Sequence, residues 1–123
     1  MADHVLVVDD DHTIASAVRD SLEFEGFRVT TAVNGAEALE QIDADPPALI
    51  LLDMRMPVMN GWEFAEQYRR TGHAAPVVVM TAAPNAQRWA DEIEADDVLP
   101  KPFTLDDLIS AVSRWRIQPD VAG

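Results

Sequence analysis

Three short apolar runs, each closed by a polar residue, constrain this chain more than anything else in it. Val5-Leu6-Val7-Val8 leads into Asp9-Asp10, Ala48-Leu49-Ile50-Leu51-Leu52 into Asp53, and Val77-Val78-Val79-Met80 into Thr81. Runs this short with no polar alternation read as strands buried on both faces, which suits a parallel sheet covered by helices. In such sheets the working crevice lies outside the carboxyl ends of the strands. Two strands that end in Asp bring anionic oxygens together there. Crowded carboxylates repel unless a proton or a hard cation sits between them, and an all-oxygen ligand set suits Mg²⁺. The sequence therefore points to an acidic metal site with one carboxylate left to act.

Amphipathic segments fill the gaps between the runs. After a first strand at about residues 4–9, Ile14, Val18 and Leu22 recur at helical spacing, with Asp11 placed to cap that helix and Gly26 to end it. Phe27 to Ala32 alternates and is rich in β-branched residues, a second strand. Asn34-Gly35 punctuates the chain before a helix marked by Ala38, Leu39 and Ile42, and Pro46-Pro47 stops that helix. The loop from Met54 to Gly61 precedes a third helix that turns Phe64, Ala65 and Tyr68 inward. A short fourth helix runs from Ala86 to about Glu94, and Asp97-Val98-Leu99 forms a brief fifth strand ending at Pro100-Lys101-Pro102. Thr104 caps a last helix expected to bury Leu105, Leu108, Ile109, Val112 and Trp115; from about residue 117 a frayed tail is expected. A βα unit repeated about five times predicts an α/β, doubly wound sheet with helices on both faces.

Composition narrows the function classes. A chain of 123 residues is one domain, residues 1–123, with nothing left over for an output domain. Its formal charge of −13 argues against direct contact with nucleic acid or an anionic membrane, both of which need basic surface. The absence of cysteine excludes disulfides, thiolate metal sites and Cys nucleophiles. Met1-Ala2-Asp3-His4 opens no signal peptide and no run reaches membrane-spanning length, so the expectation is cytoplasmic. His4, His12 and His73 are scattered, with no spacing that suits a ligand set.

With the strands placed, four of the five end in reactive side chains at one sheet edge: Asp9 and Asp10, Asp53, Thr81 and Lys101. Alone, each has a plain alternative as a cap, a strand-end hydroxyl or an exposed turn lysine. Together, Leu6-Val7-Val8-Asp9-Asp10-Asp11, the stretch Leu51 to Gly61, Val79-Met80-Thr81-Ala82 and Lys101-Pro102-Phe103 resemble the response-regulator receiver family over nearly the whole chain. The resemblance implies a five-stranded parallel, flavodoxin-like (βα)5 fold with strand order 2-1-3-4-5. It also implies that Asp53 takes a phosphoryl group from a phosphohistidine on a histidine kinase or histidine phosphotransfer protein. A carboxylate is a modest nucleophile, so the site must neutralise charge on the incoming group, and Mg²⁺ suits that task. By the same resemblance Asp10 and Asp53 bind the ion directly, Asp9 helps mainly through water, and Arg55 adds its backbone carbonyl. Thr81 would hold one phosphoryl oxygen. Lys101 would pair with another, and with Asp53 before phosphorylation. The resemblance makes the chain a protein that catalyses its own phosphoryl transfer, not a turnover enzyme, and one that signals to a downstream protein target as a monomer or weak dimer.

The chain departs from the family pattern in its second half. The switch position, three residues before Lys101, usually carries an aromatic side chain and here carries Val98. Between Thr81 and Lys101 the chain is about two residues short, and Glu94 replaces a frequent glycine. Both changes fall on the fourth helix, beside the face formed with the fifth strand and last helix that the family commonly uses for output. That helix is expected to be short and mobile. Trp89 on it reads as a core anchor or, if exposed, as an interface residue. The Arg55 side chain reads as a solvated arginine or as a group that tunes water access to the site. Two other readings compete: a pseudo-receiver that never carries phosphate, and a receiver excised from a hybrid kinase. The Met1 start and polar tail favour a complete small protein. A Mg²⁺-dependent phosphatase typically needs a second Asp two positions after the nucleophile, where Arg55 stands.

Overall fold

A computed structural model describes residues 3–115; the expected tail, from about residue 117, lies outside the described residues. Five strands, β1 (His4–Val8), β2 (Arg28–Ala32), β3 (Leu49–Asp53), β4 (Val77–Thr81) and β5 (Asp97–Pro100), form one sheet in the order β2-β1-β3-β4-β5. Every pairing is parallel. The helices α1 (His12–Phe24), α2 (Gly35–Ala44), α3 (Gly61–Arg70), α4 (Ala86–Glu92) and α5 (Leu105–Ser113) follow the strands in turn.

The unalternating runs are strands because both of their faces are buried. Val5, Val7, Leu49, Leu51, Val78 and Met80 pack under α1 and α5, against Val18, Leu22, Leu108 and Val112. The intervening Leu6, Val8, Ile50, Leu52 and Val79 pack under α2, α3 and α4, against Ile42, Phe64 and Ala90. Partly exposed positions fall mainly on the edge strands β2 and β5, with Val77 at the start of β4, and in β2 the sequence alternates accordingly.

Two helices start at the expected caps, Asp11 and Thr104, and two asparagines read only as turn residues, Asn34 and Asn60, cap two more. Asp11 accepts from the Thr13 and Ile14 amides, and Asn34 accepts from Glu37. Asn60 and Thr104 each form a reciprocal capping box with the acidic residue three positions on. The last helix departs from expectation. Leu105 is 52% exposed, because it lines the rim of an apolar hollow of about 550 Å³ between α1 and α5. Ile109 and Trp115 are only partly buried, and Trp115 lies beyond the helix end. Parallel pairing then does the work that matters for function, since every strand delivers its last residue to the same edge.

Candidate functional site

Asp9 follows β1 directly, and its amide still donates to Ala32 O at 3.0 Å, so its side chain is held at the sheet edge. Both of its carboxylate oxygens are engaged. Oδ1 accepts from the Asp11 amide at 2.9 Å, and Oδ2 accepts from Lys101 Nζ at 2.9 Å. Asp10 is exposed beside it, on the rim of a recess of about 440 Å³ shared with Met54, Arg55, Met56 and Trp62. Asp53 ends β3 and is buried. Carboxylate oxygens of Asp9, Asp10 and Asp53 all lie within 4.8 Å of one another, the only such group of metal-ligating side chains among the described residues.

Crowding and burial show in the electrostatics. The Asp53 carboxyl is pushed up to about 6, first by burial, then by the charge of Asp9 and a hydrogen bond with its side chain. The Lys101 ammonium and the Arg55 backbone act in the opposite sense, holding it down. Removal of a proton from this site therefore leaves charge that a hard cation would balance, and the donors are all oxygens, as Mg²⁺ requires. The residues present fit that ion.

Thr81 ends β4 and is buried, with its Oγ1 accepting from the Ala83 amide at 3.2 Å, which leaves the hydroxyl proton available to donate. The Thr81 carbonyl accepts from the Lys101 amide at 2.9 Å, which ties the end of β5 to the end of β4. The Lys101–Pro102 peptide is cis. The expected pairing of Lys101 with Asp53 needs correction: its ion-pair partner is Asp9, with the lysine side chain 14% exposed and the aspartate fully buried. The reason is reach across the edge. Asp9 Oδ2 meets the Lys101 ammonium at hydrogen-bond distance, whereas Asp53 is felt by Lys101 through its charge.

The loop from Met54 to Gly61 closes on itself beside Asp53. The Gly61 amide donates to Met54 O at 2.9 Å, and a Cβ at Gly61 would stand 2.8 Å from the Met54 Cα, a backbone atom that cannot move aside, so only glycine admits this approach. Gly35 bonds to Met59 O at 3.1 Å and anchors the loop's far side.

Val98 pairs with Val79 and packs on the face covered by α2, α3 and α4, away from the carboxylate cluster. Trp89 follows its core-anchor reading in part, packing against the core on the face covered by α2, α3 and α4. It is partly buried, meets Trp62 edge to face with centroids 4.9 Å apart, and carries the Arg55 guanidinium 5.0 Å from its ring centroid. Nothing in the spacing of Arg55, Trp62 and Trp89 signals this association, which depends on how α3 and α4 pack. Of the histidines, His4 is buried and hydrogen-bonds Thr30 Oγ1 at 2.6 Å, at the opposite end of the sheet.

Comparison with known proteins agrees with this geometry. Residues 5–113 match the family profile of the response regulator receiver domain. The chain is 41% identical to the response regulator MprA of Mycobacterium ulcerans over 128 aligned residues, covering 99% of this chain and 55% of that protein. MprA of Mycobacterium leprae is 38% identical, over 96% of this chain and 54% of that protein. The chain thus spans about half the length of the curated relatives it matches. Among solved structures, the chemotaxis response regulator CheY4 of Vibrio cholerae superposes with a TM-score of 0.86 at 30% identity, covering 94% of this chain and 99% of that one. The receiver domain of NtrX from Brucella abortus gives 0.83 at 30% identity, covering 90% and 96%.

Proposed function

The chain belongs to the response regulator receiver domain family, and from that premise we propose that Asp53 accepts a phosphoryl group from a phosphohistidine on a partner protein. The observation that carries this reading is the meeting of Asp9, Asp10 and Asp53 at one sheet edge, with Lys101 paired across it. In the transfer, the P–N bond to the donor imidazole breaks as an Asp53 carboxylate oxygen forms the new O–P bond. The freed imidazole leaves with the electron pair of the broken bond. Little else is asked of the protein than positioning and charge.

Asp10 and Asp53 would hold Mg²⁺ directly, with the Arg55 backbone carbonyl. Asp9, whose oxygens are already engaged by Lys101 and the Asp11 amide, would act mainly through water. When bound, the ion supplies neutralisation of phosphoryl charge and orientation of the oxygens. Thr81 would donate its hydroxyl to one phosphoryl oxygen and Lys101 its ammonium to another. Exposed Ala82 leaves the approach to Thr81 uncrowded.

The partners of this reading are a histidine kinase or histidine phosphotransfer protein upstream and a protein target downstream, in the cytoplasm. Output passes through the face of α4, β5 and α5, by contact with the target or by weak dimerisation. On this reading the chain catalyses its own phosphorylation and dephosphorylation and is not a turnover enzyme.

Intact mass after incubation with Mg²⁺ and phosphoramidate tests the assignment. A single phosphoryl adduct that disappears in Asp53→Asn, and when Mg²⁺ is chelated, is expected. An adduct that persists in Asp53→Asn would move the acceptor elsewhere. No adduct, together with no binding of the phosphate mimic beryllofluoride, would remove the phosphoacceptor reading.

A further inference from the structure

A row of contacts leads from Asp53 to α4 through one residue. The Arg55 main chain hydrogen-bonds the Asp53 carboxylate. Its guanidinium lies over the Trp89 ring at 5.0 Å, and Trp89 meets Trp62 of α3 at 4.9 Å with the rings inclined by 66°. A cation over an indole face is held by the ring quadrupole, and edge-to-face rings prefer this separation. Arg55 thus touches the carboxylate with its backbone and α4 with its side chain.

The rest of α4 is lightly held. It spans Ala86–Glu92, Asn85 supplies no side-chain cap, and its buried residues are the small Ala86 and Ala90. Its C-terminal end is fastened to α3, where Arg69 donates to the Ile93 carbonyl and lies 3.6 Å from Glu94. Towards the acceptor site α4 has two links: at its start the Ala86 amide donates to the Ala83 carbonyl, whose own amide donates to Thr81 Oγ1, and along its length Trp89 lies under the Arg55 guanidinium. Val98 packs under the same face and has no ring to exchange between buried and exposed positions.

We propose that Arg55 passes the state of the Asp53 site to α4, through release of its guanidinium from Trp89. The inference rests on the phosphoacceptor reading above. Loading Asp53 replaces a carboxylate with a more highly charged acyl phosphate at the Arg55 backbone contact. The guanidinium, exposed and held at Trp89 only by a cation–π contact, is drawn towards that added charge. Trp89 loses its cover, and α4 loses the side-chain tether on the acceptor side while its start stays joined to Thr81 through Ala83. The helix has two discrete arrangements, stacked and released, which the site and the output face both bias.

Hydrogen–deuterium exchange of residues 86–92, with Mg²⁺ alone and with Mg²⁺ plus beryllofluoride, tests this. Native mass spectrometry run beside it counts the beryllofluoride adduct. In the parent protein the adduct should speed exchange of α4 about threefold, the range a surface cation–π contact controls. Trp89→Leu should still take the adduct and show no change in α4 exchange, while Trp89→Phe, which keeps a ring face, should retain part of the response. If the parent takes the adduct with α4 unchanged, or Trp89→Leu responds as the parent does, the inference is overturned and the phosphoacceptor reading stands. If the parent takes no adduct, that reading falls and this inference with it. Should Trp89→Leu exchange fast in both states, Arg55→Met decides, since it leaves the helix sequence intact. An adduct-driven response in Arg55→Met overturns the proposal, and its loss supports it.

Discussion

Val58 holds a φ of 67° although its side chain is β-branched, and that side chain is 81% exposed. Left-handed backbone crowds a branched Cβ, so the residue is strained without gaining burial. The neighbouring Met59 carbonyl takes the Gly35 amide, and this fastening of the acceptor loop holds the conformation in place. Glu94 has a φ of 54° for a different reason. Its amide donates to Asp91 O and the next, of Ala95, to Ala90 O, the pair of bonds that closes a helix around a left-handed residue. Gly26 does the same after α1, with bonds to Glu23 and from Phe27 to Leu22. Val58→Gly and Glu94→Gly should therefore each stabilise the fold, by about 0.5–1 kcal/mol once the extra freedom of glycine in the unfolded chain is subtracted. Urea unfolding at fixed pH checks this; a loss of stability in Val58→Gly would mean that its side chain packs after all.

At the scale of elements, α4 differs from its neighbours in how it begins. Asp11, Asn34, Asn60 and Thr104 each accept a hydrogen bond from an amide of the helix they open, whereas Asn85, at φ −97° and ψ 26°, accepts none. The two asparagines Asn60 and Asn85 look alike in sequence and do different things. Asn60→Ala should cost about 1 kcal/mol, because it removes the side-chain half of a capping box, the acceptor of the Glu63 amide. Asn85→Ala should cost a few tenths at most. Thermal melts of the two variants side by side provide the comparison, and equal losses would show that Asn85 caps α4 in solution. A helix that starts without a cap and buries mainly alanines is poorly anchored by its own sequence. Its position then depends on groups from elsewhere, namely Arg69, Trp62 and Arg55.

For the molecule as a whole, two buried titratable groups at opposite ends of the sheet oppose each other with pH. His4 is pushed below its usual 6.5, first by burial and then by the charge of Arg28, while Asp45 and the Pro46 carbonyl pull the other way. Below pH 6.5 the unfolded chain takes up a proton that the folded one resists, so this group makes stability fall as pH falls. Asp53 behaves in reverse. With its folded value at about 6 against 3.8 unfolded, the fold binds a proton first as pH drops, so stability rises from pH 6 towards 3.8. At pH 7, without metal, the ionised Asp53 is a net burden. Asp53→Asn should then be more stable than the parent at pH 7, by on the order of 2–3 kcal/mol, with the gap closing by pH 4. His4→Asn should flatten the decline below pH 6.5. Melts of metal-free protein from pH 4 to 7 read both effects, and a parent as stable as Asp53→Asn at pH 7 would show that the carboxylate is not strained by its neighbours.

The strands were legible because burial on both faces leaves unbroken apolar runs, and the site was legible because parallel strands deliver their last residues to one edge. Asp9, Asp10, Asp53, Thr81 and Lys101 could be named from that rule alone, and the caps from local chemistry at Asp11 and Thr104. Leu105 was misread because helical spacing identifies an inward stripe without showing where the stripe runs past its partner helix. Pairing across the site escaped the sequence as well. Lys101 engages Asp9 and not Asp53 because the choice depends on oxygen positions set by several strands at once. The contact of Arg55 with Trp89 has no local signature at all, since a cation and an indole from separate loops and helices meet only where α3 and α4 pack. Sequence by itself determined which groups reach the edge, through periodicity and chain direction. Tertiary structure alone decided which of them touch, because distances between side chains from different elements are set by packing.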